Sequence, residues 1–195
     1  MPNSTTETSI IDRALQLLGL SQISSPQQVG SRGAKAMQRA YQPVLLSELQ
    51  KHYWHFAIKR AQLPASNTPP VHTKKNAFPL PGDYIMLAPE DQYGELQQRN
   101  DWIIEGNSII SDENGPIYIR YVSRDITTNM FDAIFAEAFS AALAVSTCED
   151  LTNSLAKLER VGAIYIDQIA IARKRGSILS QKPRLPVSSW ISRRG

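Results

Sequence analysis

The spacing at which apolar residues recur changes twice along this chain, and that change limits the folds open to it. At both ends the spacing is three to four residues, the period of a helix with one buried face; in the middle it falls to two, the period of a strand. Near the start, Ile10, Ile11, Ala14, Leu15 and Leu18 share a helical face, and Gly19 supplies a left-handed stop. Ser4-Thr5-Thr6-Glu7 has the form of a capping box, so a first helix is expected over about 5–18. Ser24, Ser25, Pro26 and Gly30 mark a loop over 21–31. Ala34, Met37, Tyr41, Val44, Leu45 and Leu49 then predict a second helix over 32–53. Pro43 interrupts it, because proline removes a ladder bond and crowds the preceding turn; a kink or a fresh start is expected there.

From Trp54 the pattern alternates. Trp54, Phe56 and Ile58 lie on one side of His55, Ala57 and Lys59, which is strand-like. Pro64 to Asn76 is a proline-rich connection that holds His72. Residues 77–80 and 84–87 flank Pro81-Gly82-Asp83, where proline fixes φ and glycine permits the turn. Residues 102–105 and 108–111 are joined by Gly106-Asn107, a pair suited to a tight hairpin. The run Ile117 to Val122 alternates cleanly. Beyond the run at Trp54, five short strands are therefore expected between helices.

Helical spacing returns near Phe131, with Ile134, Phe135, Ala138, Ala142 and Val145 on one face and many alanines for close approach. A last helix over about 152–176 carries Leu155, Leu158, Tyr165, Ile169 and Ala172 on a stripe. Arg173-Lys174-Arg175-Gly176 would end it, cations suiting the negative helix terminus and glycine leaving it. Pro183 and Pro186 then bar regular helix. The fold class implied is α+β: a four-helix bundle, 1–53 and 129–176, a small antiparallel β domain inserted over 54–128 between helices 2 and 3, and an extended basic arm over 177–195.

Charge is distributed unevenly. Seven of the 21 basic residues and none of the 18 acidic ones lie from Arg173 onward, so an acidic body ends in a basic tail. Such asymmetry marks an interaction segment, for nucleic acid or an acidic protein surface, unless the tail is simply solvated. No apolar run approaches a bilayer span, and the Ser/Thr-rich opening residues are unlike a secretory signal. A single cysteine, Cys148, excludes an internal disulfide and agrees with a reducing cytoplasm.

Few residues suggest reaction chemistry. His52 and His55 stand three apart, as metal ligands can, but no further His or Cys lies at ligand spacing; they read as a polar fringe beside a buried Trp54. Glu149-Asp150 and Asp112-Glu113 read as cap and turn residues. No P-loop, Rossmann glycine pattern, nucleophile elbow or HExxH occurs. We expect no enzyme, no cofactor and no metal, with a hydrolase of unfamiliar site as the minority reading. Arg173, Lys174 and Arg175, with Lys59-Arg60 and Lys74-Lys75, supply charge of the kind phosphates attract. The alternative to a protein-docking role is thus a basic-tailed nucleic-acid-binding module. Base stacking on Trp190 fits that alternative, while Trp190-Ile191 between Ser and Arg fits a peptide anchor in a protein groove.

Taken in order, several pieces resemble one family. Ala14 to Gly19 is followed by Ile23-Ser24-Ser25; a helix ends in His52-Tyr53-Trp54-His55-Phe56-Ala57, with Lys59-Arg60-Ala61 after it. Leu80 to Tyr84, Trp102 to Asn107, Tyr121-Val122, Phe131 to Phe135, the Ala-rich helix and Ser188-Ser189-Trp190 complete the series. Over nearly its whole length the chain resembles the tail tubular protein A family, the head-to-tail adaptors of short-tailed bacteriophages. The resemblance implies a helical bundle with a small β domain, assembled as a dodecameric ring in the virion neck after assembly in the host cytoplasm. The ring would lie between the portal protein and the tail nozzle protein, with double-stranded DNA passing its lumen without sequence recognition and no membrane contact. The arm is expected to dock on the portal or a neighbouring subunit: Trp190 and Ile191 as anchor, Pro183 and Pro186 limiting its conformations, Arg193 and Arg194 as rim charge.

Overall fold

The computed structural model describes residues 5–21, 31–71, 74–89 and 101–180. It contains four long helices, α1 (Glu7–Leu18), α2 (Arg32–Gln50), α3 (Ala133–Thr152) and α4 (Leu155–Ser180). Among the described residues six strands lie between α2 and α3 in sequence: β1 (Ile58–Leu63), β2 (Asn76–Pro79), β3 (Tyr84–Leu87), β4 (Ile103–Glu105), β5 (Ser108–Ser111) and β6 (Ile117–Ser123). They form two three-stranded antiparallel sheets, ordered β1-β6-β3 and β2-β5-β4, where one sheet was expected.

α1 is capped two residues later than the expected box. Thr6 is the N-cap: its hydroxyl accepts from the Ser9 amide at 3.1 Å, and the Ser9 hydroxyl accepts from the Thr6 amide at 3.0 Å. The serine at position 9 therefore takes the part expected of Glu7, and Ser4 lies outside the described residues. Gly19 ends α1 at φ 69°, as expected. Lys157 and Arg160 of α4 then donate to the Leu18 and Leu17 carbonyls, at 2.8 and 2.7 Å, placing positive charge on the negative end of α1. α2 runs through Pro43 without a fresh start and stops at Gln50, short of 53. Pro43 lies on the exposed side, where water can take up the Arg39 carbonyl that proline leaves unpaired.

α3 is the central element. The expected single apolar face is too narrow a description: Phe135, Ala138, Phe139, Ala141, Leu143, Ala144 and Cys148 are all buried, and they surround the helix. It packs against α1, α2 and α4, whereas α1 and α2 barely touch each other. Arg13 to Glu137 and Arg32 to Asp150, both at 2.9 Å, tie the first two helices to it. At one end of this core Trp54, Phe56, Phe131, Phe135 and Phe139 interlock, with Trp54 and Phe135 edge to face at 4.7 Å between centroids.

Residues 54–57 are not strand. His55–Ala57 form a 3-10 turn, because Trp54 and Ala57 must both be buried, and strand alternation cannot place them on one side. β1 begins only at Ile58. Along β6, Ile117, Ile119 and Tyr121 face a second apolar core, shared with Leu63, Phe78, Leu80 and Ile109. Val122 points the other way and joins the helical core with Ile58, Ile85 and Met86. The β1-β6-β3 sheet thus belongs to both cores.

Candidate functional site

Tyr41, Leu45, Glu48 and Leu49 form one buried stripe of α2, so a carboxylate occupies a core position. The Glu48 side chain is 3% exposed, and a charge so far from water has to be matched. Lys51, one turn later, donates to its Oε1 at 2.6 Å. The Tyr165 hydroxyl, from α4, donates to both carboxylate oxygens at 2.9 and 3.1 Å and accepts from Lys51 Nζ at 3.0 Å. The Glu48 backbone carbonyl accepts from the Trp54 indole at 2.9 Å, which joins the trio to the aromatic core. Burial works against the Lys51 charge, but the bonds to Glu48 and Tyr165 outweigh it and raise its pKa. Burial, with the Glu48 charge beside it, raises that of Tyr165 although Lys51 opposes the shift. The trio borders a hollow of about 300 Å³ walled by Pro43, Val44, Ala142 and Val145. Each of the three side chains hydrogen-bonds the other two, which ties α2 to α4.

A second network holds the turn before β3. Asp83 accepts from Ser123 Oγ at 2.7 Å, Lys59 Nζ at 3.0 Å and the Tyr121 hydroxyl at 3.1 Å. Lys59 also bonds Asp125 at 2.9 Å. Partial burial opposes the Asp83 charge, but the bonds from Ser123, Lys59 and Tyr121 prevail and bring its pKa down to about 2.

The expected basic cluster divides. α4 does not end at Gly176 but continues to Ser180, four residues into the segment expected to be an extended arm. Gly176 is buried here because of packing: a Cβ would stand 3.1 Å from His52 Nε2 and 3.8 Å from the Trp54 ring. With no proline before Pro183, nothing interrupts the helix at that point. Arg173 is partly buried and, after burial itself, is the second cause lowering the His52 pKa; Lys174 and Arg175 are exposed. His52 packs edge-on to Trp54 at 4.8 Å, while His55 packs on Phe56 at 5.5 Å. Among the described residues no group of three His, Cys, Asp or Glu could hold a metal ion. Cys148 is buried on α3, its sulfur 3.4 Å from the Thr152 hydroxyl. Trp190, Ile191, Arg193, Arg194, Pro183 and Pro186, like His72, lie outside the described residues.

The two lysine-containing pairs also divide. Lys59 is held by acids while Arg60 next to it is exposed, and Lys74 is bonded to Asp112 at 2.9 Å. The Glu48 trio went unread in the sequence, although its signal was there: an acid at i+7 of an apolar helical stripe with a lysine three residues on. No helix among the described residues is long and apolar enough to cross a membrane. Compared with models of known protein families the chain matches none, and no curated protein is significantly similar to it.

Proposed function

We propose that this chain is a structural head-to-tail adaptor of a short-tailed phage virion, without catalytic activity. Copies of it form a dodecameric ring between portal and tail nozzle, through which double-stranded DNA passes. In this reading 1–53 and 129–180 make the helical bundle, 54–128 the inserted β domain, and the basic arm, counted from 181 because α4 runs to Ser180, docks on the portal or a neighbour.

The observation that carries the ring is the outward face of α4. Leu155 and Ile166 are 70 and 65% exposed on one side of the helix, and on the same side, around the position of a Gly162 Cβ, there is open space. Apolar side chains beside small residues, uncovered in a single chain, suit close packing against another subunit. The experiment is to mix the protein with its portal and measure mass. A discrete cyclic complex is expected, and deletion of residues 181–195 should abolish stable attachment while leaving the thermal transition nearly unchanged. One-to-one binding to a lone portal subunit, with no ring, would sink the reading.

A further inference from the structure

β1 and β6 pair with Ile58 opposite Val122, Arg60 opposite Arg120 and Gln62 opposite Tyr118. Strand alternation puts these three pairs in a row on one face. The first pair packs into the helical core; the other two continue outward from it. Out there the face is open: Tyr118 is 61% exposed, and Arg60 and Gln62 are exposed as well. Together with Ala61 and Ile119, these side chains line a hollow of about 360 Å³.

Two arginines directly opposite each other on adjacent strands repel, since their Cβ atoms stand about 5 Å apart. Several other cations of this molecule face acids: Lys59 with Asp83 and Asp125, Lys74 with Asp112, Arg13 with Glu137, Arg32 with Asp150. Among the described residues neither Arg60 nor Arg120 has an acidic partner. Arg120 donates to the Pro89 carbonyl at 2.8 Å, a neutral acceptor that orients the guanidinium. The sheet therefore presents two adjacent forks that no acid among the described residues compensates. An anion bridging them would convert the repulsion into two charge-assisted hydrogen-bonded contacts.

We propose that this face binds the phosphodiester backbone of nucleic acid, with a phosphate held between Arg60 and Arg120. The neighbouring pair decides the class of ligand. Tyr118 offers a flat ring and Gln62 an amide beside the phosphate position, a surface that a sugar or base can use and an acidic side chain does not require. The site is complete in one subunit; it rests on the adaptor reading only for duplex DNA as the polymer that reaches it.

The test uses the full chain, a short fluorescein-labelled duplex and one of its strands, followed by anisotropy at stepped salt concentrations. Arg60→Gln/Arg120→Gln should weaken binding by about tenfold or more and lower the salt-dependence slope by about 2, since two phosphate contacts are lost. Lys35→Gln/Arg39→Gln removes the same charge from α2 and should leave the slope unchanged. Tyr118→Ala should weaken the single strand more than the duplex. Thermal melting checks the fold, and Arg60→Gln alone gives half the slope change if the double variant unfolds. Equal losses in the sheet and α2 variants would overturn the proposal, leaving net charge as the cause. So would an acidic peptide that depends on the two arginines when neither nucleic acid does, which would assign the face to a protein partner. If the duplex result holds and no ring forms with the portal, the site stands and the adaptor reading fails; a ring whose sheet variant binds DNA like the unaltered chain gives the reverse.

Discussion

An acid, a lysine and a tyrosine meet twice in this protein, once among helices and once at the edge of a sheet. Glu48, Lys51 and Tyr165 join α2 to α4, with the carboxylate 3% exposed. Asp83, Lys59 and Tyr121 join the turn before β3 to β1 and β6, with the carboxylate 23% exposed and Ser123 as an extra donor. The bonds are of similar length; the surroundings are not. Taking a carboxylate out of water costs several kcal/mol, which its partners have to return, whereas a half-wet one keeps part of its hydration. The same three side chains therefore make an indispensable tie in one place and a moderate clamp in the other.

The largest effect is expected from removing one partner in the buried trio. Lys51→Met leaves the Glu48 carboxylate with Tyr165 alone and should destabilise the fold by about 2–3 kcal/mol, the lysine's own partial exposure keeping the loss below that of a fully buried pair. Urea unfolding followed by tryptophan fluorescence reads this directly. A double-mutant cycle sharpens the contrast: Glu48 and Lys51 should couple by about 1–3 kcal/mol, and Asp83 and Lys59 by less than about 1 kcal/mol. Equal coupling energies would show that burial is not what separates the two sites.

A smaller effect is expected at Asp83, and pH isolates it. Its pKa is lowered from 3.8 to about 2, so its ionised form stabilises the native state. That contribution is fully present above the unfolded value and is lost as pH falls from about 4 toward 2, amounting to about 1–2 kcal/mol. Asp83→Asn should flatten the stability curve across that window; an unchanged curve would remove Asp83 from the clamp.

The smallest effect belongs to His52. Burial first, and the Arg173 charge second, lower its pKa, so the neutral ring is the form the fold accepts. Stability should decline slightly as pH falls below about 6.5, the ordinary histidine value, and stop declining once the native ring is protonated. In His52→Gln that decline should vanish, as measured by the thermal midpoint between neutral and mildly acidic pH.

What could be read from the sequence was what is local. Gly19 at the end of α1 and Gly106 in the β4-β5 turn have the positive φ that their positions implied, and the alternation of β6 is seen in its burial. Pairing between distant strands was out of reach: β2 and β3 are separated by one turn yet belong to different sheets, and no local residue announces that. The Glu48 trio depends on Tyr165, 117 residues away, which helical spacing could place only on a stripe. Gly176 was misread because a glycine after three cations looks like a helix stop, while its actual cause is a histidine on another element. In sequence Lys59 and Arg60 look like one charged pair, although a strand sends neighbours to opposite faces.

The central place of α3 has a consequence for the order in which this chain is made. α1 and α2 leave the ribosome before α3, and the apolar faces they carry are built for a helix that follows the strands. Until α3 emerges, Leu15, Leu18, Leu45 and Leu49 have no finished partner to cover them. The nascent amino-terminal half is thus a greasy, unfinished object, exposed to chaperones and to other nascent copies. Closure of the helical unit must wait for contacts between helices on either side of the strands, which makes its folding slow relative to a set of sequentially paired helices.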